Sequence, residues 1–67
     1  MITEIGIIAG EIWHFLEKHD NMSTLEAIVD GIDKNRNTVL MSIGWLAREG
    51  HVVLEEEGTD YKVTLRK

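Results

Sequence analysis

Three histidines, His14, His19 and His51, are the side chains best suited to metal or proton chemistry, and their spacing serves neither. His14 and His19 are five residues apart, so they do not share a helix face as a metal pair requires. His51 belongs to a different segment. The chain has no cysteine, which removes disulfides, thiol nucleophiles and thiolate metal sites. No glycine-rich phosphate loop, nucleophile elbow or defensible pair of carboxylates is present. Glu55-Glu56-Glu57 reads as a solvated strand end that resists edge-to-edge aggregation. The expectation is therefore no catalysis, no cofactor and no metal.

The residue types that remain are those of recognition. Lys34, Asn35, Arg36, Asn37 and Thr38 follow one another. In a major groove arginine reads guanine and asparagine reads adenine, and Lys34 could meet phosphate. The plain alternative is an ordinary solvated helix start. Met41 and Trp45 lie one turn apart on the face away from the apolar stripe of their helix, and a large apolar pair there suits an interface. Alternatively the hairpin or the first helix folds over Trp45. Gly6 and Gly10 are also one turn apart, each costing about 1 kcal/mol of helix propensity relative to alanine. Either a fraying helix end or the close approach of another backbone would account for them. Ile7 stands nearly opposite the stripe of its own helix. Residues 34–38 are thus the candidate DNA contacts. Gly6, Ile7, Gly10, Met41 and Trp45 are the candidate protein interface.

The elements that must position these groups can be read from periodicity. The stretch from Asp33 to Gly50 is one amphipathic helix. Val39, Leu40, Ile43, Leu46 and Ala47 share a face, Arg48 suits the last turn, and Gly50 suits a left-handed cap. Before it, residues 3–19 read as a helix with Ile5, Ile8, Ala9, Ile12 and Leu16 in one stripe, widened by Trp13 and Phe15 and stopped at Asp20-Asn21. Ser23-Thr24-Leu25-Glu26 matches a capping box, with Met22 and Ala27 as its staple. It opens a short helix over 24–30 with Leu25, Ile28 and Val29 inward. Gly31-Ile32-Asp33 is the expected turn: Gly31 ends one helix, Ile32 plugs the core, and Asp33 or Asn35 caps the next. After Gly50, Val52 and Leu54 on one strand and Tyr61, Val63 and Leu65 on the other give inward faces joined by a turn at Glu57-Gly58-Thr59-Asp60. A short extra strand at residues 1–3 is also expected.

At 67 residues the expectation is one domain, 1–67. A chain this short buries only about 60% of its unfolded surface, so oligomerisation is an accessible route to stability. No secretory signal or bilayer-spanning run is seen, which makes a cytoplasmic location the default and a membrane partner unexpected. The net charge of −5 is uneven. Residues 1–32 carry all of it, with Lys18 alone against six acidic residues, whereas residues 33–50 are +1 and residues 51–67 are −1. Nucleic-acid binding normally requires a basic footprint, so a monomer of this composition would bind DNA weakly.

The runs from Ser23 to Ile28, Gly31-Ile32, Thr38-Val39, Leu46 to Val52 and Val63 to Leu65 resemble a winged helix-turn-helix domain. More narrowly, the whole chain is similar to a family of small stand-alone bacterial winged-helix proteins of unassigned function, with most of the match in the run from Gly44 to Gly50 and the hairpin behind it. The resemblance implies an α+β winged helix, a three-helix core followed by a two-stranded wing. It implies that the central helix is the recognition helix and that residues 34–38 face a major groove. DNA-contacting wings usually carry basic tips; here the tip region is Glu55-Glu56-Glu57-Gly58-Thr59-Asp60, where phosphate contact would be repulsive. Two functions follow. One is a transcription-regulator-like module that binds double-stranded DNA as a homodimer. The other is a protein-interaction or dimerisation module without significant DNA affinity, with helix 1 as the dimerisation element in either case.

Overall fold

The computed structural model describes residues 2–66, with side-chain surroundings from Glu4 to Arg66. The order is α1 (Ile2–Lys18), β1 (Met22–Thr24), α2 (Leu25–Ile32), α3 (Arg36–Arg48), β2 (Val52–Glu57) and β3 (Asp60–Leu65). It is an α+β winged helix, with three helices packed on one face of a small antiparallel sheet.

In α1 the stripe Ile8, Ala9, Ile12 and Leu16 is buried, and Trp13 and Phe15 pack at its margins. The helix stops where expected. Asp20 and Asn21 both take positive φ, and the Asn21 N–H donates to the Leu16 carbonyl at 2.8 Å. This left-handed pair turns the chain alongside β3. Met22, Ser23 and Thr24 pair with Thr64, Val63 and Lys62, giving the sheet order β1-β3-β2. The strand added to the two-stranded wing, β1, thus comes from the chain between α1 and α2. The strand expected at residues 1–3 is not formed: residues 2 and 3 are helical, and residue 1 lies outside the described residues.

Recruitment of Ser23 into the sheet moves the start of α2 by one residue. Thr24, with extended backbone, is the N-cap, and its Oγ1 accepts from the Ala27 N–H at 3.2 Å. The capping box expected on Ser23 is not formed, and Met22 lies exposed on β1 rather than stapled to Ala27. Leu25 and Ile28 are buried. Gly31 does not end the helix. It lies within it, at a position where an ideal Cβ would come within 2.2 Å of the Phe15 ring. The helix ends two residues later at Asp33, whose φ is 52° and whose N–H donates to the Val29 carbonyl. Ile32 packs against the core from the last turn of α2.

Asn35, not Asp33, caps α3. Its Oδ1 accepts from the N–H groups of Asn37 (2.8 Å) and Thr38 (3.3 Å). Val39, Ser42, Ile43 and Leu46 face the core, and the buried Ser42 hydroxyl donates to the Thr38 carbonyl at 2.8 Å. Leu40, expected in that stripe, is 40% exposed, because the core centres on the 39–46 side of the helix. The C-terminus is a Schellman motif. The His51 N–H reaches the Leu46 carbonyl and the Gly50 N–H reaches the Ala47 carbonyl, with Gly50 at φ 79° as the sequence led one to expect.

The hairpin closes through Gly58-Thr59 with Glu57 opposite Asp60. Val52, Val63 and Leu65 complete the core. Leu54 and Tyr61 share their face but extend beyond the helices and remain partly exposed.

Candidate functional site

The geometry around α3 sorts the expected recognition residues into groups already engaged and groups left outward. At its amino end Lys34 and Asn37 are exposed. The Asn35 side chain is taken up by its capping bonds, and Thr38 is half-buried. Arg36 is held by α2, with its Nε 3.3 Å from Glu26 Oε1. Both side chains of this pair are at least half exposed, so its stabilisation is under about 1 kcal/mol. Its effect is on availability: the Arg36 guanidinium already has a carboxylate partner. Sequence reasoning missed this pairing, because residues ten apart meet only once α2 and α3 cross.

The wing repeats the pattern. Lys62 Nζ lies 3.3 Å from Glu55 Oε1 and 4.0 Å from Glu57 Oε2, so the cation of the hairpin is enclosed by its own acidic neighbours. Glu56, on the other face of the strand, has no cation beside it among the described residues.

Further along α3 the outward side becomes apolar. Met41 is 43% exposed and Trp45 46% exposed. Trp45 is therefore only partly covered; the His51 ring approaches it at 6.5 Å with a 40° tilt. Gly6 and Gly10 of α1 and Trp45 of α3 come together around one open cavity of about 240 Å³, which Ala9, Trp13, Leu46 and His51 also line. Nothing lies within 4 Å of where a Cβ would stand on Gly6 or Gly10. A close backbone approach within the chain therefore does not account for these glycines. Ile7 is 62% exposed on the adjoining turn of α1, and neither it nor Met41 lines the cavity.

On the other flank of α3 lies a groove absent from the sequence reading. Leu25, Leu40, Ile43, Leu54, Tyr61 and Val63 enclose about 210 Å³ between the helix and the wing. The signal that could have located it was the phase of Leu40, at the edge of its stripe.

The histidines are dispersed. His14 Nδ1 is 3.4 Å from Glu17, and His19 Nδ1 is 2.7 Å from the Phe15 carbonyl with its ring stacked on Phe15. Among the described residues no group of three or more histidine, cysteine, aspartate or glutamate side chains could hold a metal ion. No helix there is long and apolar enough to cross a membrane.

Residues 1–65 match the family described as Winged helix-turn-helix domain (DUF2582). The chain is 36% identical over 67 residues to Uncharacterized protein MJ1608 of Methanocaldococcus jannaschii, covering 98% of this chain and 96% of that one. Its fold is similar to the solution NMR structure of protein BT2368 from Bacteroides thetaiotaomicron, with a TM-score of 0.79 and 25% identity, over 94% of this chain and 76% of the other.

Proposed function

Because the chain belongs to the winged helix-turn-helix domain family DUF2582, we propose that it is a non-catalytic binding module that works as a homodimer and engages protein rather than DNA. The observation that carries this reading is the surface where Trp45, nearly half exposed, overlooks the open Gly6 and Gly10 positions, with Ile7 beside them. Exposed apolar surface of this kind is characteristic of interfaces, and tryptophan is among the side chains that dominate their energy. Two small residues one turn apart let a second helix approach closely, which offsets their cost in helix propensity.

Charge is compatible with self-association there. At 100° per residue Glu17 shares the phase of the two glycines but lies two turns beyond Gly10, beside His14, whereas Glu4 and Glu11 fall on the other flank of α1, and Glu11 lines a cavity with Phe15 and Gly31 on the α2 side. Two copies can therefore meet through Gly6 and Gly10 without apposing those carboxylates. A two-fold axis would place the same patch on both partners.

Sedimentation equilibrium tests this. The wild-type chain should show twice its 7.6 kDa mass at tens to hundreds of micromolar. Trp45→Lys should show the single mass with an unchanged circular-dichroism spectrum. A monomeric wild type at the highest concentration would overturn the reading.

A second reading, DNA binding, is favoured by the exposure of Lys34 and Asn37 at the amino end of α3, where a phosphate and a base edge can be met together. Weighing against it are Arg36 held by Glu26, Lys62 held by the wing carboxylates, and the net charge of −5. Fluorescence anisotropy of a labelled duplex separates the two. Binding at low salt that weakens steeply with added salt would favour DNA.

A further inference from the structure

The groove between α3 and the wing takes no part in the self-association surface, and it lies beside a free strand edge. In the order β1-β3-β2, β2 has one side unpaired within the sheet. The Arg66 N–H donates to the His51 carbonyl, which sets the alternation along the ladder. Val53, Glu55 and Glu57 direct their backbone groups to β3, and Val52, Leu54 and Glu56 direct theirs outward. These last three also share the inner face with Tyr61 and Val63. A chain running beside β2 would thus be hydrogen-bonded at Leu54 and Glu56 and would send alternate side chains toward Leu40.

Size and charge say what such a chain must be. About 210 Å³ of apolar space is smaller than the roughly 300–1,000 Å³ of small-molecule sites and suits an inserted side chain or two. A second copy of β2 is disfavoured, since it would set its own Glu55, Glu56 and Glu57 beside like charges. Lys62 offsets Glu55 and Glu57 on the outer face, whereas Glu56 at the mouth of the groove has no cation among the described residues.

We propose that the β2 edge and its groove take an extended segment of another protein that presents apolar side chains over Leu40, Leu54 and Tyr61 and, two residues along on the same face, a basic side chain that meets Glu56. This is strand addition, in which main-chain hydrogen bonds supply affinity and alternate side chains supply selection.

The test is an NMR titration of the isotope-labelled full chain at low salt with the acetylated, amidated heptapeptide Lys-Thr-Leu-Thr-Val-Thr-Lys, whose lysines share a face with its apolar side chains. Two controls accompany it: one with glycine at the apolar positions and one with glutamate for lysine. The expected result is saturable shifts at Leu40, Leu54 and Glu56, with slowed amide exchange at Leu54 and Glu56. Affinity should fall at least tenfold for the glycine peptide and vanish for the glutamate peptide. Glu56→Lys, an exposed change that leaves the spectrum folded, should weaken the first peptide at least tenfold. Equal affinity for the glycine peptide would reduce the site to charge attraction and overturn the proposal. So would protection at β1 instead of β2, no saturable shift at millimolar peptide, or the same amides responding to dilution of the protein alone, which would make a second copy the occupant.

Discussion

Replacing Gly31 by alanine tests how α1 and α2 are held together. In open helix the change would stabilise by about 0.5–1 kcal/mol through backbone entropy and propensity. Here the new methyl would come within 2.2, 2.8 and 3.1 Å of three atoms of the Phe15 ring. The ring must then shift, which disturbs its stack on the His19 ring at 4.0 Å. Overpacking of this kind costs about 1–3 kcal/mol, and the lost ring pair adds roughly 0.5–1.5 kcal/mol. Set against the propensity gain, the middle of these ranges has Gly31→Ala destabilise by about 2 kcal/mol, a fall in Tm of roughly 8–16 °C for a chain of this size. Urea unfolding followed by circular dichroism, at one fixed protein concentration so that self-association does not shift the midpoint, gives the value. The decisive arm is the double change. In a Phe15→Ala background the obstruction is gone, and Gly31→Ala should stabilise by about 0.5–1 kcal/mol. If Gly31→Ala stabilises the wild-type chain, Phe15 does not lie over Gly31 and the α1–α2 packing described above is wrong.

Asn35→Ala should cost about 1 kcal/mol by removing the cap of α3, whereas Asp33→Gly should be neutral or stabilising by a few tenths, since φ is 52° there. Equal losses in thermal unfolding would mean that Asp33 shares the capping role. Gly50→Ala, at φ 79°, should lower stability by about 1–2 kcal/mol in the same assay; no change would argue against the Schellman motif. Glu26→Gln should alter stability by less than about 0.5 kcal/mol, because the pair with Arg36 is exposed. If DNA is bound at all, that change frees Arg36, and the slope of log K against log salt should steepen by about 0.9. An unchanged slope would remove Arg36 from any phosphate contact.

Periodicity was a good guide where burial on one side decides position. Val39, Ile43 and Leu46 in α3, and Val63 and Leu65 in β3, lie inside as their spacing requires. The two stops with left-handed residues, at Asp20-Asn21 and at Gly50, were equally legible, because few residue types tolerate that geometry. The start of α2 was not. Ser23 and Thr24 offer the same hydroxyl chemistry in adjacent positions, and the choice between them is made by pairing with Val63 and Lys62 in a distant strand. Gly31 misled because a glycine that admits a neighbouring ring looks, in sequence, like a glycine that ends a helix. At the candidate site, Gly6, Ile7, Gly10, Met41 and Trp45 were expected in one interface, but that Gly6, Gly10 and Trp45 would line one cavity with Ile7 and Met41 outside it was not legible, because the α1–α3 crossing is not written in either helix alone. The engagement of Arg36 by Glu26 was hidden for the same reason.

The central position of β3 governs the order in which the molecule can be completed. It is the last of the six elements to be synthesised, yet both other strands pair only with it. Until β3 leaves the ribosome, Met22–Thr24 and Val52–Glu57 have no hydrogen-bonding neighbour, and Val63 and Leu65 are missing from the core. The three helices can collapse on one another during that interval, but the sheet must form in a late step that closes a long loop. Substitutions confined to β3 should therefore slow the final folding phase while leaving helix formation unaffected. The glutamates of β2 stand guard over a nascent strand whose partner has not yet arrived.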